Sequence, residues 1–83
     1  MPIVAILDGV KIVFHANEHP PPHFHARIAE HEAVIDIDDL VITRGFLPKP
    51  KARKVLIWAS TRQAELRRAF HAAVALEPVE PIE

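Results

Sequence analysis

Apolar positions in the first fourteen residues fall into two short runs, PIVAIL and VKIVF, separated by Asp8-Gly9. Asp-Gly between two apolar runs fits a two-residue type I′ turn, since glycine accepts a positive φ and aspartate tolerates one. The resulting hairpin sets Leu7 opposite Val10, Ala5 opposite Ile12 and Ile3 opposite Phe14 on one face. Ile6 with Lys11 and Val4 with Val13 form the other face. A second period-2 pattern runs through HFHARIAEHEAVIDID, from His23 to Asp38. With the turn at Glu30-His31, Ile28 pairs with Ala33, Ala26 with Ile35 and Phe24 with Ile37, an apolar face. The opposite face then pairs Arg27 with Val34, His25 with Asp36 and His23 with Asp38.

Leu40 to Thr43 fits a short fifth strand that Gly45 ends. From Pro48 to Val74 the period changes to that of a helix. Ala52, Val55, Leu56, Ala59, Leu66, Phe70, Ala73 and Val74 fall on one stripe about 100° wide, suited to covering a sheet. Trp58 stands at the stripe's margin near Lys51 and Arg62, while Ile57 points away from it. The expected fold is α+β: a small antiparallel sheet of two β-hairpins, with a short fifth strand, under one long C-terminal helix. Residues 1–75 form a single domain in this reading, and residues 76–83, with two prolines and three glutamates, an extended acidic tail.

Composition narrows the chemistry. At 83 residues the chain has room for one domain. Such a domain buries only roughly 60–65% of its unfolded surface, so it gains from a partner. With no cysteine there is no disulfide, thiol nucleophile or thiolate metal site, and the expected location is cytoplasmic. The N-terminal apolar run lacks a basic flank and reads as a strand, not a signal peptide; no segment has the ~20 apolar residues of a spanning helix. The net charge of −1 hides an asymmetry. Residues 1–47 carry three basic and seven acidic side chains, whereas residues 48–68 carry seven basic ones and only Glu65 against them. A basic helix flank can meet RNA or an acidic protein, although the overall balance opposes indiscriminate nucleic-acid binding.

Four histidines, at positions 19, 23, 25 and 31, fall within thirteen positions, with three prolines between the first two. Pro20, Pro21 and Pro22 predict a rigid extended arch that sets His19 relative to His23. His23 and His25, two apart on a strand, share a face with Asp36 and Asp38, and three chemistries fit. His23, His25, Asp36 and Asp38 can hold a divalent transition metal with an open position for water. His19, His23 and His25 with Asp36 can instead move protons without a metal, as in RNA cleavage, with Arg27 steadying the phosphate. Third, the His–Asp pairs can simply brace a hairpin. His15 reaches the group if the hairpins are neighbours, and His31 and His71 are expected at the surface. Lys51, Trp58 and Arg62 are further candidates for binding substrate.

The run NEHPPPHFHARIAEHEAVIDID, followed by RGFLP and WASTRQAEL, resembles the small prokaryotic family catalogued as domain of unknown function 4160. The resemblance covers residues 2–75 and points to His19, Pro21, Pro22, His23, Phe24, His25, Ala26, Ala33, Ile35, Asp36 and Ile37. It continues through Gly45, Leu47, Trp58, Arg62, Glu65 and Leu66. Members often stand beside, or fused to, another small domain, which implies a toxin–antitoxin-type component with a small partner protein; the convergence of imidazoles and carboxylates on one face adds the expectation of a ribonuclease-like activity. The chain departs from the family pattern at Ala29, where glycine is common, at His31, often aromatic, and at Ile57, often acidic. Two other functions remain alongside that one: a non-catalytic interaction module and a metal-dependent hydrolase.

Overall fold

The structure, a computed structural model, describes residues 3–83; Pro2, at the head of the first apolar run, lies outside them. Five strands are followed by two helices: β1 (Ile3–Leu7), β2 (Val10–Val13), β3 (His23–Ile28), β4 (His31–Asp36), β5 (Ile42–Gly45), α1 (Lys49–Ser60) and α2 (Gln63–Val74). The strands form one antiparallel sheet in chain order, β1-β2-β3-β4-β5. Each connection joins neighbours, as short links between sequential strands favour.

The first hairpin turns at Asp8-Gly9, with φ of 51° and 82°, and keeps Leu7 opposite Val10 and Ala5 opposite Ile12. A bulge between Ile3 and Ala5 moves Val13 opposite Ile3, so the expected Ile3–Phe14 and Val4–Val13 pairs do not form. In the second hairpin the turn lies at Ala29-Glu30, and Ile28 pairs with His31. Ala29 takes the positive φ this turn needs, 52°, although it is not a glycine. The register therefore differs by two residues from the sequence expectation. A shift of two leaves every side chain on its expected face. Phe24, Ala26, Ala33, Ile35 and Ile37 are all buried. What changes is who faces whom: Arg27 meets Glu32, His25 meets Val34, and His23 meets Asp36.

The single long helix is corrected to two. Thr61 and Arg62 leave helical geometry, with φ/ψ of −101°/5° and −136°/24°. The cause is local competition for carbonyl groups. The Ser60 hydroxyl donates to Ile57 O at 2.6 Å, and the Thr61 hydroxyl donates to Trp58 O at 3.0 Å. Backbone N–H groups of Thr61 and Arg62 close three-residue turns onto Trp58 O and Ala59 O. The apolar stripe nevertheless survives the break. Val55 and Ala59 of α1, and Leu66, Phe70 and Ala73 of α2, join Val4, Val10, Ile12, Phe14, Phe24, Ile35 and Ile37 in one core. Val74, assigned to the stripe, is 38% exposed, while Ala69 is buried.

Three ties hold the helices to the sheet. Lys51 and Lys54 both reach the Asp8 carboxylate at the β1–β2 turn, at 2.8 and 3.0 Å. Their charges and hydrogen bonds hold the Asp8 carboxyl down at about 2. At the other end of the sheet Arg67 donates to Asp38 at 2.6 Å, and the Gln63 amide donates to Ile37 O at 2.9 Å. The chain after Leu76 carries no helix or strand, yet Ile82 is buried in the core and its N–H donates to Val4 O at 2.8 Å. Among the described residues, no helix is long and apolar enough to cross a membrane.

Candidate metal centre

The helices cover the face of the sheet that carries Phe24, Ala26 and Ile35, so strand alternation turns His25 to the uncovered face. The β2–β3 loop, residues 14–22, brings Glu18 to the same end of β3. This loop bends at Pro20 and Pro21, whose shared peptide is cis, in place of the expected extended arch. One Glu18 oxygen lies 2.7 Å from His25 Nε2, and the other lies 3.2 Å from His23 Nε2. On the far side of the His25 ring, Nδ1 is 3.0 Å from a Glu32 oxygen. His15 packs edge-on against His25, ring centres 4.1 Å apart, and His23 rests against Phe70 of α2 at 5.3 Å. The side chains of His23 and His25 are 14% and 12% exposed, sheltered but reachable.

Proton bookkeeping defines what this arrangement lacks. His23 Nδ1–H donates to Pro21 O at 2.9 Å, so in the neutral ring Nε2 carries a lone pair. That lone pair faces a Glu18 oxygen, acceptor against acceptor. His25 in its neutral form has one N–H for two carboxylates, so a second acceptor pair arises there. Such pairs are stable only with a cation between them, either a proton on the ring or a metal ion.

The donor set fits a metal. Glu18, His23 and His25 each offer one ligand atom, all within 4.8 Å of one another, and His15, His25 and Glu32 form a second such group. Two ligands at the usual bond lengths on a tetrahedral zinc lie about 3.3 Å apart. The contact of 3.2 Å needs to open by about 0.1 Å and that of 2.7 Å by about 0.6 Å. Burial opposes the charge on Glu18, but the hydrogen bond from His25 and the field of His23 outweigh it and hold the carboxyl below its ordinary value. Burial also holds the His15 imidazole below its ordinary value, with His25 adding in the same direction.

A groove of about 510 Å³ opens over the group, lined by Glu18, His19, His23, His25, Thr43 and Arg44 among others. Of the histidines singled out in the sequence, His23 and His25 enter the cluster, whereas His19 stands on the groove wall, exposed. The two aspartates lie elsewhere in the network. Asp36 is buried beside the groove and its carboxylate accepts the Asp39 N–H at 2.7 Å. Asp38 is held by Arg67, so neither aspartate joins the three-donor groups. Arg27 is on the open face and pairs with Glu32 at 3.4 Å. Lys51, Trp58 and Arg62 belong to the helical layer. Lys51 is tied to Asp8, and Arg62 lies over the Trp58 ring and donates to Glu83 O.

The carboxylates that meet the imidazoles, Glu18 and Glu32, escaped the sequence reading. Glu18 depends on how the loop folds back, which no periodicity encodes. Glu32 depends on the turn register, for which a glycine preference at Ala29's position was the available signal. Neither curated proteins nor solved structures include a match to this chain. The family profile described as "Domain of unknown function (DUF4160)" matches residues 9–71, a span that takes in the whole cluster, and the chain belongs to that family.

Proposed function

We propose that the chain is the toxin-type member of a toxin–antitoxin-type pair, and that it hydrolyses RNA with a divalent transition metal held by Glu18, His23 and His25. The observation that carries the reading is the pair of acceptors, Glu18 Oε2 and His23 Nε2, facing each other at 3.2 Å beneath an open groove. Two imidazoles and one carboxylate are a donor set suited to zinc or a neighbouring transition metal, with positions left for water and substrate. A metal bound there supplies Lewis-acid polarisation of a phosphoryl oxygen and a nucleophilic water at neutral pH. The protein's own groups do the rest. Pro21 O fixes the His23 ring, the groove admits the chain, and Arg44 on its wall attracts the phosphodiester charge, with His19 on the same groove as a hydrogen-bonding group. The pairing with an antitoxin rests on the family resemblance.

The test uses tag-free protein supplemented with Zn²⁺ or Mn²⁺ and a labelled RNA strand. Cleavage by the wild type, lost in Glu18→Gln, His23→Ala and His25→Ala, is the expected result. Equal cleavage by all four proteins removes the site from the reaction, and a wild type that retains no metal after supplementation removes the metal.

A second reading has its own observation. Among the described residues the outer edge of β5 has no neighbouring strand, and Val41 and Phe46 at its ends are 50% and 58% exposed. An edge of this kind can accept a partner's strand, as an interaction module requires. Phe46→Asp tests it: co-purification with the protein encoded beside this chain should fail, and unchanged co-purification would argue the surface down.

A further inference from the structure

Resting on the metal-centre reading above, we infer that Glu32, braced by Arg27, is a positioning residue that fixes which nitrogen of His25 faces the ion. His25 is the one side chain shared by both three-donor groups. Its two ring nitrogens point in opposite directions, Nε2 to Glu18 at 2.7 Å and Nδ1 to Glu32 at 3.0 Å. Once Nε2 binds an ion beside Glu18 and His23, the ring retains one N–H, on Nδ1, and Glu32 is the acceptor waiting for it. This single assignment removes both acceptor-against-acceptor contacts. The ion separates Glu18 from the two Nε2 lone pairs, and the Nδ1–H satisfies Glu32. An ion in the His15–His25–Glu32 group would instead take the Nδ1 lone pair, put the proton on Nε2, and leave His23 Nε2 facing Glu18 without a cation. One ion in the Glu18 group therefore settles more contacts than one ion in the other.

A carboxylate on the distal nitrogen of a metal-bound histidine orients the ring, selects its tautomer and raises its basicity. Here the carboxylate is itself held. Register places Arg27 directly across from Glu32, and its Nε lies 3.4 Å from the second Glu32 oxygen. Lys11 is opposite Arg27 on β2, so the Glu32 charge faces a row of two cations running away from the ion. The row tempers how strongly Glu32 draws the proton, and it keeps Oε2 aimed at His25. His15 closes the remaining side of the ring, edge-on at 4.1 Å.

The experiment measures Zn²⁺ affinity and stoichiometry by competition with a chromophoric chelator, for wild type, Glu32→Gln, Arg27→Gln and Glu18→Gln. Nitrogen NMR of the zinc-loaded proteins reports the His25 tautomer, which a merely structural role would not move. The wild type should bind one ion, with His25 protonated at Nδ1. Glu32→Gln should keep one ion but bind it roughly 10–100-fold more weakly, the usual effect of losing such a partner. Arg27→Gln should shift affinity less, and it supplies the answer if Glu32→Gln fails to fold. Glu18→Gln should lose the ion. Unchanged affinity in Glu32→Gln overturns the inference, as does a wild type that binds two ions of which Glu32→Gln loses one. A wild type that binds none overturns the metal-centre reading as well. One ion that is indifferent to Glu32 overturns only the inference.

Discussion

Ile82 offers a direct test of how the last residues contribute to the fold. It lies eleven positions beyond the end of the family match at residue 71, yet it is 7% exposed within the core. Full burial of an isoleucine contributes about 1.5–3 kcal/mol, and the hydrogen bond from its N–H to Val4 O adds about 1 kcal/mol net. Against this stands the entropy of ordering the segment, about 1–2 kcal/mol per residue, reduced where Pro78 and Pro81 already restrict the backbone. Val79, packed against the same core, adds to the favourable side, and a short segment of this kind stays docked by a small margin. Removing side-chain contacts can then cost no more than the docking free energy, because beyond that point the segment lets go. Ile82→Ala should therefore lose about 1–2 kcal/mol in urea unfolding. With a slope near 1 kcal/mol per molar, typical of small domains, the midpoint falls by roughly 1–2 M. Ile82→Asp should lose no more than Ile82→Ala does, since both release the segment. Leu76→Ala, at a position 75% exposed, should leave the midpoint in place. An Ile82→Ala midpoint equal to that of the wild type would refute the reasoning, and so would an Ile82→Asp loss several times larger.

Three further outcomes can be checked. Gly45→Ala should destabilise by at least about 3 kcal/mol in thermal melts, from left-handed strain plus disrupted β4–β5 pairing. Gly45 has φ +83°, and a Cβ there would lie 2.0 Å from Glu32 O; a loss below 1 kcal/mol, taken as about the noise of such comparisons, sinks the argument. Ala29→Gly should gain about 0.5–1 kcal/mol, since relief at φ +52° exceeds the added freedom of the unfolded chain; a loss in chemical denaturation contradicts it. Asp8 titrates at about 2 when folded against 3.8 ordinarily, so its stabilisation is present above pH 3.8 and is lost as pH falls through about 2. Melting temperatures of wild type and Asp8→Asn should converge across that window, and a constant gap speaks against the Lys51–Lys54 tie.

Legibility in the sequence followed the range of the interaction. The Asp8-Gly9 turn was readable because two adjacent residue types dictate it. The faces of β3 and β4 were readable because burial has period two, and they survived a register error of two residues. The register itself was not, because Ala29 adopts a conformation its side chain disfavours and only the assembled sheet enforces. The helix break at Thr61 hides inside an apolar stripe that is continuous on either side of it. The site divided the same way. The shared face of His23 and His25 was readable from their spacing on a strand, while Glu18 and Glu32 reach them through a folded loop and a cross-strand diagonal. Asp36 and Asp38 have suitable chemistry but are occupied by Asp39 N–H and Arg67.

All five residues of the two three-donor groups, His15, Glu18, His23, His25 and Glu32, come from a single uninterrupted stretch of chain. No helix contributes a donor. The donor set therefore depends on local folding, the β2–β3 loop and the β3–β4 hairpin between them holding every member. The α2 helix reaches the set through Phe70, against the His23 ring. Substitutions on the outer faces of the helices can alter what the protein meets without replacing a donor.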